Sequence, residues 1–187
     1  METPNTQIPK ANVPGKRFTT DYPLIDSDPH WRRAFRYARP RDWAIGAGAA
    51  TLGPLFMLTT ERFAPSFAGK GAFGPPFRLS IAVGVTAGLG LVYQRSCLRF
   101  YGWMENEREQ GMDMREMVDK VKKGEPLYGE SQLSPYMQGV AARNSRFSAL
   151  MFHIVPMANF TNHNQHGVDT AKYYQQAERE LEAARGR

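Results

Sequence analysis

One cysteine, Cys97, stands alone in the sequence, so no disulfide can close within the chain. For the same reason no iron–sulfur cluster can be held by its cysteines alone. The N-terminus lacks the cationic start and apolar run of a secretory signal, and Met1–Thr6 carries Glu2 and no arginine. A cleavable presequence is therefore not expected, and any organellar address is expected to lie internally. Phosphate-binding loops are missing too. Gly69, Gly71 and Gly74 match neither of the familiar glycine-rich spacings. The most informative shortage is of charge. Trp43 to Thr60 holds none over eighteen residues, and Leu79 to Gln94 holds none over sixteen.

Those two blocks set the architecture. At 1.5 Å per residue they span roughly 27 and 24 Å as helices, against a hydrocarbon layer of about 30 Å. Soluble core helices seldom go so long without a charge. Both blocks are also rich in glycine, which costs about 1 kcal/mol relative to alanine in a soluble helix. Trp43, Tyr93, Tyr101 and Trp103 stand at the block ends, where interfacial aromatics belong. The mean hydropathy of −0.50 looks soluble only because the rest of the chain is strongly polar. Pro54 interrupts the first block, and a kink is expected there. The fold class expected is an all-α membrane protein. It comprises a two-helix transmembrane hairpin, an extended N-terminal arm and a partly helical, irregular C-terminal tail.

The expected divisions are 1–42, 43–98 and 99–187, with the membrane helices at about 43–60 and 79–98. Prolines at 4, 9, 14, 23 and 29 keep the arm extended. Asp28-Pro29 then starts a short helix to Arg39, rich in arginine and aromatic rings. Arg32, Arg33, Arg36, Arg39 and Arg41 are expected at phospholipid headgroups. Glu61 to Arg78, with Pro65, Pro75, Pro76 and three glycines, reads as a surface loop. Beyond the second block, Glu105–Lys123 reads as a helix stopped by Gly124. Tyr128–Arg146 reads as irregular, and Thr170–Arg185 as a terminal helix. The apolar residues of this tail are too many for a free segment and too irregular for an autonomous domain. They are expected to complete a core against other proteins.

Small residues recur along both blocks: Gly46, Ala50 and Gly53 in the first, Ser80, Gly84 and Gly88 in the second. Lipid tails are as apolar as side chains, so membrane helices associate by close packing, which small residues permit. A helix-docking surface toward larger neighbours is the expectation. Basic residues are denser around the two outer ends than in the connector, which favours both termini on the inner side.

Candidate chemistry is sparse. Neither block holds an ionisable group, which argues against a pump or carrier. His163 and His166, with His153, have the look of metal ligands, but no cysteine lies near, and a hydrogen-bonded loop is the plainer reading. Cys97 has no evident base and reads as a buried, inert thiol. Asn159-Phe160-Thr161 fits the glycosylation triplet, which carries weight only on the secretory route. No catalytic, cofactor-binding or metal residue is expected.

Several unusual strings carry a resemblance. They are Tyr22-Pro23-Leu24-Ile25-Asp26-Ser27-Asp28-Pro29-His30, Tyr37-Ala38-Arg39-Pro40-Arg41-Asp42-Trp43, Pro126-Leu127-Tyr128-Gly129-Glu130-Ser131, Met137 to Ser145 and Asn162 to Asp169. They resemble a fungal accessory subunit, of about 21 kDa, of mitochondrial NADH:ubiquinone oxidoreductase (complex I), over nearly the whole chain. Glu105 to Glu109 is also similar to a two-helix accessory subunit of the animal enzyme. The resemblance implies the mitochondrial inner membrane, packing against the membrane arm of the complex, and bound phospholipid such as cardiolipin. It implies no redox centre, quinone site or NADH site here. The short second block departs from the family. Assembly or stabilisation of the membrane arm is the function this implies; a subunit of a protein-import or scaffold complex is the alternative.

Overall fold

The computed structural model describes residues 19–66, 69, 71–152, 154–155 and 157–186. The first eighteen residues of the expected arm, and His153, lie outside these. Among the described residues there are six α-helices, one 3-10 turn and no strand. The helices are α1 (Trp31–Tyr37), α2 (Pro40–Phe63), α3 (Gly74–Phe100), α4 (Glu107–Lys123), α5 (Pro135–Ser145) and α6 (Ala171–Arg185), and the turn is Ser148–Met151.

α2 and α3 run longer than the charge-free blocks, at 24 and 27 residues. Helical rise makes them roughly 36 and 40 Å long, enough to cross a bilayer with room to tilt. Prolines suit the extra length at the two helix starts. Pro40 opens α2, where Asp42 accepts from the Arg39 backbone N–H at 2.8 Å. Pro75 and Pro76 sit in the first turn of α3, where their missing N–H costs nothing. The expected loop from Glu61 to Arg78 is shortened at both ends, since α2 runs on to Phe63 and α3 begins at Gly74, and the second helix is not short. Both helices are candidate membrane spans by length and composition.

α2 and α3 pack antiparallel, Gly46 meeting Gly88, Ala50 meeting Gly84, and Gly53 lying near Ser80. The other helices and the Ser148–Met151 turn gather at the end where α2 begins and α3 finishes. There the arm crosses the C-terminus of α3: Ile25 N–H donates to Phe100 O at 2.9 Å and Tyr22 N–H to Gly102 O at 3.2 Å. These bonds satisfy carbonyls that a helix end leaves orphaned. Gly102 has φ +79°, and a side chain there would run into the Tyr22 carbonyl. Only glycine fits.

One cluster, Ile25, Ala34, Tyr37, Tyr93, Cys97, Phe100, Tyr101 and Ala149, joins arm, α1, α3 and tail. A second, Met117, Leu127 and Tyr173, joins α4 to α6. Gly124 closes α4 in the left-handed conformation, φ +70°. The segment 128–146 is not wholly irregular: Ser134 accepts from Met137 N–H and Pro135 starts α5. Gly129, Pro135 and Gly139 make this stretch look irregular, yet Pro135 stands at a helix start and Gly139 is buried within α5.

Candidate functional surface and its buried polar junction

Two features stand out, an apolar helical pair and the polar junction that roots it. The pair is bare. Only 6% of the apolar stretch of α2 and 28% of that of α3 is buried within the chain. Leu52, Leu55, Phe56, Leu79, Val83 and Leu89 all face outward.

The small residues lie between the two helices. A methyl group at Gly46 would stand 2.6 Å from Val92 Cγ2 and 2.7 Å from Gly88 O; one at Gly88 would meet Gly46 O, and one at Gly84 would meet Ala50 O. Pro54 cannot donate the N–H that would normally bond the carbonyl four residues earlier, which is that of Ala50. That carbonyl lies against Gly84, much as the Gly46 carbonyl lies against Gly88 with no proline to free it. These six residues face each other. The small residues sit in the α2–α3 seam, and the outward surface of the pair is the bulky one.

At the base of the pair, Asp42 is 1% exposed and holds two arginines of α3. Arg95 Nε donates to Oδ1 at 3.0 Å, and Arg99 grips both oxygens. Arg99 continues to Glu109 of α4 at 3.4 Å. Glu109 accepts two bonds from Arg39, at 2.8 and 2.5 Å, and Arg39 also reaches Glu105 at 2.8 Å. Hydrogen bonding to Glu109 pushes the Arg39 guanidinium further up, outweighing its desolvation.

A second junction ties arm, α1, α4, α6 and tail. Arg33, 9% exposed in its side chain, pairs with Asp26 at 3.0 Å and with Asp113. Its guanidinium also lies 5.3 and 5.2 Å over the Tyr37 and Phe100 rings. Tyr173 donates to Asp113 at 2.5 Å. His166 Nδ1 lies 2.7 Å from Asp26 and His163 Nε2 lies 2.9 Å from Asp28; Ser145 donates to Asp28 as well. Burial pushes the Asp26 carboxyl up, but His166 and Arg33 outweigh it and hold it below the usual range.

The arginines expected at headgroups therefore divide. Arg33 is buried and committed to carboxylates, and Arg39 is tied to Glu105 and Glu109. Arg36 is 65% exposed in its side chain, 3.4 Å from Glu116. Arg32 and Arg41 are exposed. The junction residues Asp26, Asp42, Asp113 and Glu109 escaped the sequence reading. Arg95 and Arg99, four apart on one helix face just beyond a charge-free block, were the available signal.

His163 and His166 are buried in hydrogen bonds, and among the described residues no group of His, Cys, Asp and Glu is placed to hold a metal ion. Cys97 is buried.

Two helices long and apolar enough to cross a membrane, rooted in a charged helical head, define a class: small all-helical proteins with a pair of candidate membrane spans. Within it the family follows from comparison. A profile described as NADH-ubiquinone oxidoreductase complex I, 21 kDa subunit, matches residues 19–105. A second, for the C-terminal part of the same 21 kDa subunit, matches residues 114–186. The NADH-ubiquinone oxidoreductase 20.9 kDa subunit of Neurospora crassa is 61% identical over 181 residues, 97% of this chain and 95% of that protein. The chain belongs to the family of the 21 kDa subunit of complex I.

Proposed function

We propose that this chain is a non-catalytic accessory subunit of mitochondrial complex I. It crosses the inner membrane twice, through α2 and α3, and helps hold the membrane arm together. The observation that carries this reading is the exposure of most of the two apolar helices beside a head whose buried carboxylates, Asp26, Asp28, Asp42, Glu109 and Asp113, are all engaged. Such a surface is too large and too apolar for water, and lipid or membrane-embedded neighbours are the surroundings that fit it. Ionised groups along the pair are confined to its ends, so no proton path runs through it.

The head is proposed to face the matrix, following the basic residues flanking α2 and α3. Arg32, Arg36 and Arg41 then meet headgroups, cardiolipin among them. Exposed Tyr136, Met137, Met151, Ile154, Val155 and Met157 of the tail supply apolar contacts for neighbouring subunits. Carbonate washing of mitochondria should leave the intact chain in the pellet, and deletion of residues 79–95 should release it. On native gels the intact chain should migrate with NADH dehydrogenase activity. Extraction of the intact chain, or migration with a protein-import assembly instead, overturns the reading.

A further inference from the structure

An apolar groove of about 730 Å³ runs along the outer face of α3. Its floor is Ala82, Thr86, Ala87 and Gly90, and the rings of Trp31, Phe35, Phe152 and Phe160 wall it. The volume is that of a site for one small apolar ligand, about 300–1,000 Å³. From Ala82 to Tyr93 it extends roughly 16 Å along the helix. Gly90 lets the wall close in: a methyl there would stand 2.7 Å from the Phe152 ring.

At one end the groove meets a second, polar cleft. Trp31 and Phe160, with ring centroids 6.2 Å apart, line both. The polar side carries Arg32, Arg36, Lys120, Glu116 and Glu130. Glu116 engages Arg36 at 3.4 Å and Lys120 at 3.1 Å. Arg32 is different. Among the described residues its guanidinium has no carboxylate partner; it lines the polar cleft and lies 5.4 Å over the ring of Trp31, which both clefts share.

We propose that this groove binds one acyl chain of an anionic phospholipid, with the phosphate held by Arg32. The inference deepens the membrane reading above and rests on it. An apolar peptide helix suits the lining but offers nothing to the cation at the rim. A zwitterionic lipid brings its own compensating cation. One acyl chain joined to a net negative headgroup satisfies both ends of the site, and arginine over tryptophan is at home at headgroup depth.

The test uses the full chain in phosphatidylcholine vesicles doped with phosphatidylglycerol carrying a photoreactive group midway along one acyl chain. Phosphatidylcholine bearing the same acyl chain is the reference probe, and adducts are mapped by peptide mass spectrometry. Adducts from the anionic probe should concentrate on residues 82–91 and 152–160, about fivefold over the reference. Arg32→Gln should bring that ratio close to one, and Ala87→Trp should clear the groove of both probes. Equal labelling by the two probes, a ratio indifferent to Arg32→Gln, or adducts spread evenly over α2 overturns the proposal. In mitochondrial membranes holding the intact complex, an unlabelled groove means that a protein neighbour fills it, which also overturns it. A chain that carbonate strips from the vesicles defeats the membrane reading itself, whereas an inserted chain without selective labelling defeats only this inference.

Discussion

Arg99 is 2% exposed and is the centre of a chain of charges running from Asp42 through Glu109 to Arg39. A buried pair is weak evidence of net stabilisation, but breaking one strands an uncompensated charge. Arg99→Ala should therefore cost about 3–5 kcal/mol. The double variant Asp42→Asn/Arg99→Met should recover part of that loss, since it removes both charges. Thermal melting of the full chain in detergent measures both, and an Arg99→Ala melt like the parent's would show that the junction holds little. Asp26 supplies a pH dependence. Its carboxyl sits below the ordinary 3.8, because His166 and Arg33 outweigh the burial that raises it. A depressed carboxylate stabilises the fold above its unfolded pKa, and the contribution disappears as pH falls through the lower folded value. Stability from this group should thus be flat at neutral pH and decline below about 4. Asp26→Asn should lower the neutral plateau and flatten that acid limb in melts recorded against pH.

The helical pair depends on backbone approach rather than on side-chain bulk. Glycines at 46, 84 and 88 let carbonyls and Cα atoms approach closely across the α2–α3 seam, where the Ala50 carbonyl lies against Gly84. Gly84→Ala and Gly88→Leu should each push the helices apart, at about 1–3 kcal/mol for overpacking. Gly48→Ala is the matched control, because a methyl there meets nothing within 4 Å. It should be neutral or slightly stabilising through helix propensity. SDS-unfolding midpoints in mixed micelles compare the three, and equal behaviour of Gly84→Ala and Gly48→Ala would contradict a tight seam.

The head is assembled from distant parts of the chain, and its stability should be separable from that of the pair. α6 contributes Tyr173 to the second core and to Asp113, and Glu180 to Lys122. Truncation after Gly167 uncovers Met117 and Leu127. Limited proteolysis should then cut within α4, while the segment covering α2 and α3 stays protected in vesicles. Cleavage reaching both regions equally would mean that the molecule unfolds as one unit.

Charge-free length, flanking rings and proline punctuation were legible from residue order alone, because they depend on local geometry and on the thickness of a bilayer. That is why two long helices, the Gly124 stop and the terminal helix could be read directly. Small-residue spacing revealed faces suited to close packing, but not that each would be turned onto the other; only their three-dimensional approach decided which partner they met. The arginines near Trp31 carried the same ambiguity. A guanidinium beside an apolar block suits a headgroup until a carboxylate 80 residues away, such as Asp113 opposite Arg33, folds against it. Long-range pairing of charges leaves no periodic trace, so tertiary contact alone separated the buried arginines from Arg32.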